Sequence, residues 1–74
     1  MRSFVSEDKF HMKGRGDVYT LRLKEEVPTA EVYNQEILVD GVKYICRGIN
    51  RFCNRLSDPI LGPDEAIGLL VEKI

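Results

Sequence analysis

Apolar and polar residues alternate along residues 10–23, F-H-M-K-G-R-G-D-V-Y-T-L-R-L, with the two-residue period of a β-strand. Phe10 and Met12 share one face and His11 and Lys13 the other. On the return run Tyr19, Leu21 and Leu23 oppose Val18, Thr20 and Arg22. Between the runs stands Gly14-Arg15-Gly16-Asp17, whose glycines reach φ > 0 at little cost, so the pattern predicts a β-hairpin with that tip. Its expected core residues are Phe10, Tyr19, Leu21 and Leu23. A second hairpin is predicted where Glu36-Ile37-Leu38-Val39 and Val42-Lys43-Tyr44-Ile45-Cys46 flank Asp40-Gly41, a two-residue type I′ turn that sets Val39 opposite Val42 and Ile37 opposite Tyr44.

Other stretches are less decided. Residues 1–9 are polar apart from Phe4 and Val5, and read as a lead-in or an edge strand. Pro28 removes a ladder donor and makes residues 25–29 a loop. Lys43, Arg47, Arg51 and Arg55 recur every four residues, beside Ile45, Ile49, Phe52 and Leu56, so residues 44–56 could form a basic amphipathic helix. Gly48 and the second hairpin argue for a strand there. Pro59, Gly62 and Pro63 predict a loop over residues 57–63. Beyond it, Pro63, Asp64 and Glu65 near a start, Lys73 near an end, and Ile67, Leu70, Val71 and Ile74 at helical spacing favour a helix. The apolar run over residues 67–71 equally suits a strand buried on both faces.

Composition narrows the function. Seventy-four residues make one domain with a small core, since folding at this size buries only roughly 60% of the unfolded chain's surface. Eleven Lys plus Arg against twelve Asp plus Glu leave a formal charge of −1, which gives no global attraction for nucleic acid or an acidic membrane. A local patch remains, because four cations and no anion lie between Asp40 and Asp58. No apolar run reaches the roughly 18 residues that span a bilayer, and no signal-like stretch follows Arg2, so a soluble, cytoplasmic protein is expected.

The chemistry is sparse. Cys46 and Cys53 have no second pair, which points to buried thiols rather than a disulfide framework or a zinc ribbon. His11 has no nucleophile at a supporting spacing and reads as a solvent-facing strand residue. Asp17 and Asp40 fall at expected turn tips, where Asp serves turn chemistry. Arg15-Gly16-Asp17 spells an integrin-recognition tripeptide, read as coincidence in a chain without a signal peptide. No enzyme, metal or cofactor is indicated.

Phe10 followed by Gly14-Arg15-Gly16, then Val18 and Thr20, then Gly48-Ile49 with Phe52, and finally Gly68-Leu69-Leu70 with Ile74, resembles domain 2 of translational GTPases such as elongation factor Tu. The resemblance covers residues 10–74, which it makes one all-β domain, a small closed antiparallel barrel of about six strands. It turns residues 67–73 into a strand and disfavours the basic helix. The GTPase phosphate loop G-x-x-x-x-G-K-[ST] has no counterpart, so neither nucleotide binding nor GTP hydrolysis is expected. In that family the barrel binds the aminoacylated 3′ end of transfer RNA. The resemblance carries the pocket walls onto Met12, Val18 and Leu69, and puts Asn50 where the family has a glutamate beneath the terminal adenine. The expected function is a non-enzymatic binding module for RNA, the ribosome or a translation factor, with Lys13, Arg15, Arg47, Arg51 and Arg55 contacting phosphates or acidic groups. The alternative is a protein-interaction or assembly barrel of the same architecture.

Overall fold

The computed structural model describes residues 1–52 and 58–74. The chain is all-β, with strands β1 (Arg2–Phe4), β2 (Asp8–Met12), β3 (Gly16–Leu23), β4 (Val27–Pro28), β5 (Glu36–Val39), β6 (Val42–Arg51), β7 (Ile60–Leu61) and β8 (Glu65–Lys73). A single 3₁₀ turn, Thr29–Glu31, is the helical element among the described residues. Six strands form one sheet in the order β1-β5-β6-β8-β3-β2, and β4 pairs with β7 as a separate two-stranded flap. All ladders are antiparallel except β1 with β5. Among the described residues no ladder joins the outermost strands β1 and β2, which are separated in the chain by residues 5–7.

Both stretches left open between helix and strand are strands. Residues 65–73 pair with β3 on one side and β6 on the other. Leaving those ladders for a helix would orphan two rows of backbone partners, which outweighs the cap-like Pro63 and Asp64. Ile67, Leu69 and Val71 of β8 enter the core with Tyr19, Leu21, Leu23, Ile37, Val39, Tyr44 and Cys46. Phe4, Val27, Val32 and Leu61 complete it. The flap therefore covers one end, through the buried pair Val27 opposite Leu61.

The second hairpin has the expected register, Val39 opposite Val42 and Ile37 opposite Tyr44, with Asp40 at φ 52° and Gly41 at φ 82°. In the first hairpin the turn is tighter than the glycine pattern predicts. Met12 pairs with Gly16 and the loop is Lys13-Gly14-Arg15, closed by Arg15 N–H donating to the Met12 carbonyl at 2.9 Å. A tip at residues 14–17 would set Phe10 opposite Leu21, whereas Phe10 is opposite Val18. That shift is odd in number, so it moves Phe10 and Met12 to the face away from the core. Phe10 is accordingly 46% exposed rather than buried, and Asp17 is a strand residue rather than a turn residue.

Asp40 does more than turn the chain. Its carboxylate accepts from the Ser6 backbone N–H at 2.9 Å and from the Ser6 hydroxyl, and its own N–H donates to the Phe4 carbonyl. The hairpin tip thus pins the corner between β1 and β2. The Ser6 hydroxyl, with the Ser6 N–H second, lowers the Asp40 carboxyl below its ordinary 3.8. Because the folded value is depressed, the contribution is complete above pH 3.8 and is lost as pH falls through the folded value. In a carboxyl NMR titration Asp40 should titrate below 3.8 and move back toward it in Ser6→Ala. An unchanged Asp40 titration in that variant contradicts the pin.

Candidate binding groove on the outer sheet face

The registers set side chains of four strands in rows across the sheet. On the outer face one row reads Phe10, Val18, Leu70, Gly48, and the next reads Asp8, Thr20, Gly68, Asn50. On the inner face the corresponding row is Lys9, Tyr19, Leu69, Ile49. The outer rows line a groove of about 440 Å³, with Phe10, Met12, Arg15, Val18, Asn50 and Leu70 among its walls. Glycines make its floor. A Cβ on Gly68 would lie 3.3 Å from Val18 Cγ1, 3.6 Å from Phe52 Cζ and 3.7 Å from Asn50 Cβ, so these three side chains close over the buried glycine. Phe10, Met12 and Phe52 are 46%, 37% and 57% exposed, an unusual convergence of large apolar groups on one open surface.

A β-bulge makes this arrangement. Cys46 pairs with Val71 but Gly48 with Leu70, so Arg47 is an extra residue on β6. Before it, Tyr44 and Cys46 face the core. After it, Ile49 and Arg51 do, and Gly48 and Asn50 turn outward. The same step carries Arg51 into the interior.

Arg51 and Glu65 form a buried ion pair, with side chains 4% and 3% exposed. Arg51 Nε donates to Glu65 Oε1 at 2.5 Å and an Nη to Glu65 Oε2 at 2.7 Å, a bidentate fork. The guanidinium also donates to the Asp58 and Ile60 carbonyls at 2.7 and 3.1 Å, and Glu65 Oε2 accepts the Gly62 N–H at 2.7 Å. Gly62, at φ 78°, is held where a Cβ would collide with the Glu25 carbonyl oxygen. Arg51 therefore serves the interior and offers no cation to the surface.

At the opposite end, Asp17 Oδ1 lies 3.0 Å from His11 Nδ1, and Asp17 Oδ2 lies 3.5 Å from Lys9 Nζ. The His11 hydrogen bond lowers the Asp17 carboxyl, and the Asp17 charge raises Lys9. Both Asp17 oxygens are thus engaged, which leaves the Arg-Gly-Asp tripeptide without a free carboxylate. Below them the Tyr19 and Tyr44 hydroxyls share a 2.8 Å hydrogen bond, which, with burial second, pushes Tyr44 up to about 12. Burial also raises the Cys46 thiol.

Of the residues singled out in the sequence, Met12, Arg15, Val18 and Asn50 meet at the groove. Lys13 is exposed in the adjoining turn. Leu69 lies in the core and its neighbour Leu70 lines the groove instead. Arg47 is exposed and donates to Glu72 at 3.1 Å, while Arg55 and Cys53 lie outside the described residues. Phe10, Phe52, Gly68 and Leu70 join the site without having been marked for it; the odd register of the first hairpin would have exposed Phe10. Among the described residues no group of three metal-ligating side chains exists, and no helix is long and apolar enough to cross a membrane. Comparisons with protein-family models, curated proteins and solved structures return no match to this chain.

Removing either partner breaks a buried, doubly hydrogen-bonded ion pair. Arg51→Ala should cost about 3–5 kcal/mol in urea denaturation. Arg51→Lys should recover only part of it, because a single ammonium cannot reproduce the fork. A loss under about 1 kcal/mol for Arg51→Ala, the range of an exposed pair, contradicts a structural role for it.

Proposed function

We propose that this chain is a non-enzymatic, cytoplasmic binding module, a small closed barrel similar to domain 2 of translational GTPases, whose outer groove receives an unpaired base of RNA. The barrel reading rests on residues 2–12, one chain segment that pairs with β5 through β1 and with β3 through β2. The strands that end the sheet on its two sides are therefore continuous through the corner that Asp40 pins.

The observation that carries the RNA reading is the groove at Gly68. The exposed ring of Phe10 lines the groove and the exposed ring of Phe52 reaches over Gly68, two aromatic side chains on which a base can stack. The Asn50 amide offers both a donor and an acceptor to a base edge, and Arg15 stands on the wall as a phosphate contact. RNA on the ribosome or on a translation factor's surface fits the same groove. A protein-interaction module is the second reading. It is favoured by the pairing of Arg47 with Glu72 and the burial of Arg51, which remove two of the five expected surface cations.

Fluorescence anisotropy with a labelled single-stranded oligoribonucleotide separates the two. Phe52→Ala should weaken binding by about 5- to 150-fold, the range for one base stack of about 1–3 kcal/mol. Gly68→Val should abolish it by pushing the Val18 and Phe52 side chains out of place. With Lys13 and Arg15 as the phosphate contacts, the logarithm of the affinity should fall against the logarithm of salt with a slope of about −1.4. No RNA binding at low salt, or binding indifferent to Gly68→Val, overturns the RNA reading.

A further inference from the structure

The groove is charged oppositely at its two ends. Along β2 the outward side chains are Asp8, Phe10 and Met12, and the turn beyond Met12 brings Arg15 onto the groove wall. Neither Lys13 nor Arg15 forms an ion pair among the described residues, so that end is cationic. Asp8 stands two residues from Phe10 in the other direction, about 7 Å along the strand, in the row that continues through Thr20 and Gly68 to Asn50. No cation neutralises it. Lys9 Nζ is turned to Asp17 at 3.5 Å, and Arg22, one row further along β3, makes no ion pair with Asp8.

A carboxylate at this end repels a phosphate and attracts N–H groups, since an ionised Asp only accepts hydrogen bonds. Asp8 Oδ1 takes the Lys9 backbone N–H at 2.8 Å, which leaves Oδ2 and the second lone pair of Oδ1 for a ligand. Thr20, half-buried beside it in the row, directs its hydroxyl hydrogen to the Asp8 carbonyl at 3.4 Å, so it too offers an acceptor. With a base stacked on Phe10 and its phosphate at Arg15, the base edge pointing along β2 meets acceptors. An unpaired base is read on that edge. Uracil presents one N–H there, flanked by carbonyl oxygens, and adenine and cytosine present one amino group each. Guanine presents N1–H and the N2 amino group side by side, the two parallel donors that a carboxylate takes bidentately.

We propose that Asp8 selects the base and that the base it selects is guanine. The inference rests on the RNA reading of the groove and adds to it a residue beyond the groove's walls. Asn50, at the far end of the same row, carries both a donor and an acceptor and suits an edge of any base, so the discrimination falls to Asp8.

The test is fluorescence anisotropy of the whole protein with labelled seven-nucleotide RNAs, uridine throughout except at the centre, which is uridine, cytidine, adenosine, guanosine or inosine. Inosine is guanosine without the N2 amino group. The guanosine RNA should bind about 5- to 150-fold more tightly than the all-uridine one, the discrimination that one bidentate contact gives, and inosine should lose most of that advantage. Asp8→Asn should cancel the guanosine preference and leave the all-uridine RNA bound as well or better, because it removes a negative charge beside the phosphates. A merely structural loss would weaken every RNA together. Absence of binding by all of these RNAs overturns the RNA reading and the inference with it. Binding that does not distinguish the bases, that favours another base, or whose guanosine preference survives inosine or Asp8→Asn overturns the inference alone.

Discussion

The Arg51 to Glu65 ion pair ties residues 58–62 to β6 and β8, strands with which they share no ladder. Arg51 ends β6 and Glu65 begins β8, and through them the Asp58 and Ile60 carbonyls and the Gly62 N–H are fixed. β7 is thereby placed against β4, and Leu61 and Val27 close one end of the core. Phe52 follows Arg51 directly, so the interior pair also sets where the groove's aromatic leaves the sheet. A charge pair this deep is costly to desolvate, and the bidentate fork and the bonds to the Asp58 and Ile60 carbonyls and the Gly62 N–H offset that cost.

A single extra residue makes the pair and the groove compatible. Without the bulge at Arg47, the alternation that buries Tyr44 and Cys46 would continue to Gly48 and Asn50 and would turn Arg51 outward. With it, two glycine-lined rows of the outer face come together from β6 and β8, and the cation goes inside. Outer groove and interior are thus two consequences of one change of parity.

Much of this was legible in the residues. The Asp40-Gly41 turn, with its short loop and twist-matched geometry, fixed its hairpin's register. Tyr19, Leu21 and Leu23 fell in the core because their spacing admits one buried face. What escaped was parity. Gly14 and Gly16 each permit a reversal, and nothing local says that the loop takes Lys13 rather than Asp17, so Phe10 was assigned to the wrong face. Arg47 looks like any other strand cation, and its bulge depends on the pairing of β6 with a strand more than twenty residues later. For that reason Arg51 read as part of a basic stripe, whereas Leu69 was carried to the pocket by the family resemblance and the ladders turn its neighbour Leu70 outward instead. Residues 65–73 carried helix-end signals and a strand-like apolar run together, and partners on both sides decided between them. Met12, Val18, Arg15 and Asn50 were found at the groove, while Phe52 and Gly68 needed the fold.

The proposed contact surface for RNA is the pair of outer rows rather than the cationic run of β6. Chemical-shift mapping during titration of a single-stranded oligoribonucleotide into the intact protein tests it most directly. The largest amide shifts should fall at Phe10, Val18, Asn50, Phe52, Gly68 and Leu70, with small changes at Lys43 and Arg47. Shifts centred on Lys43 and Arg47 with the Gly68 row unmoved would contradict it.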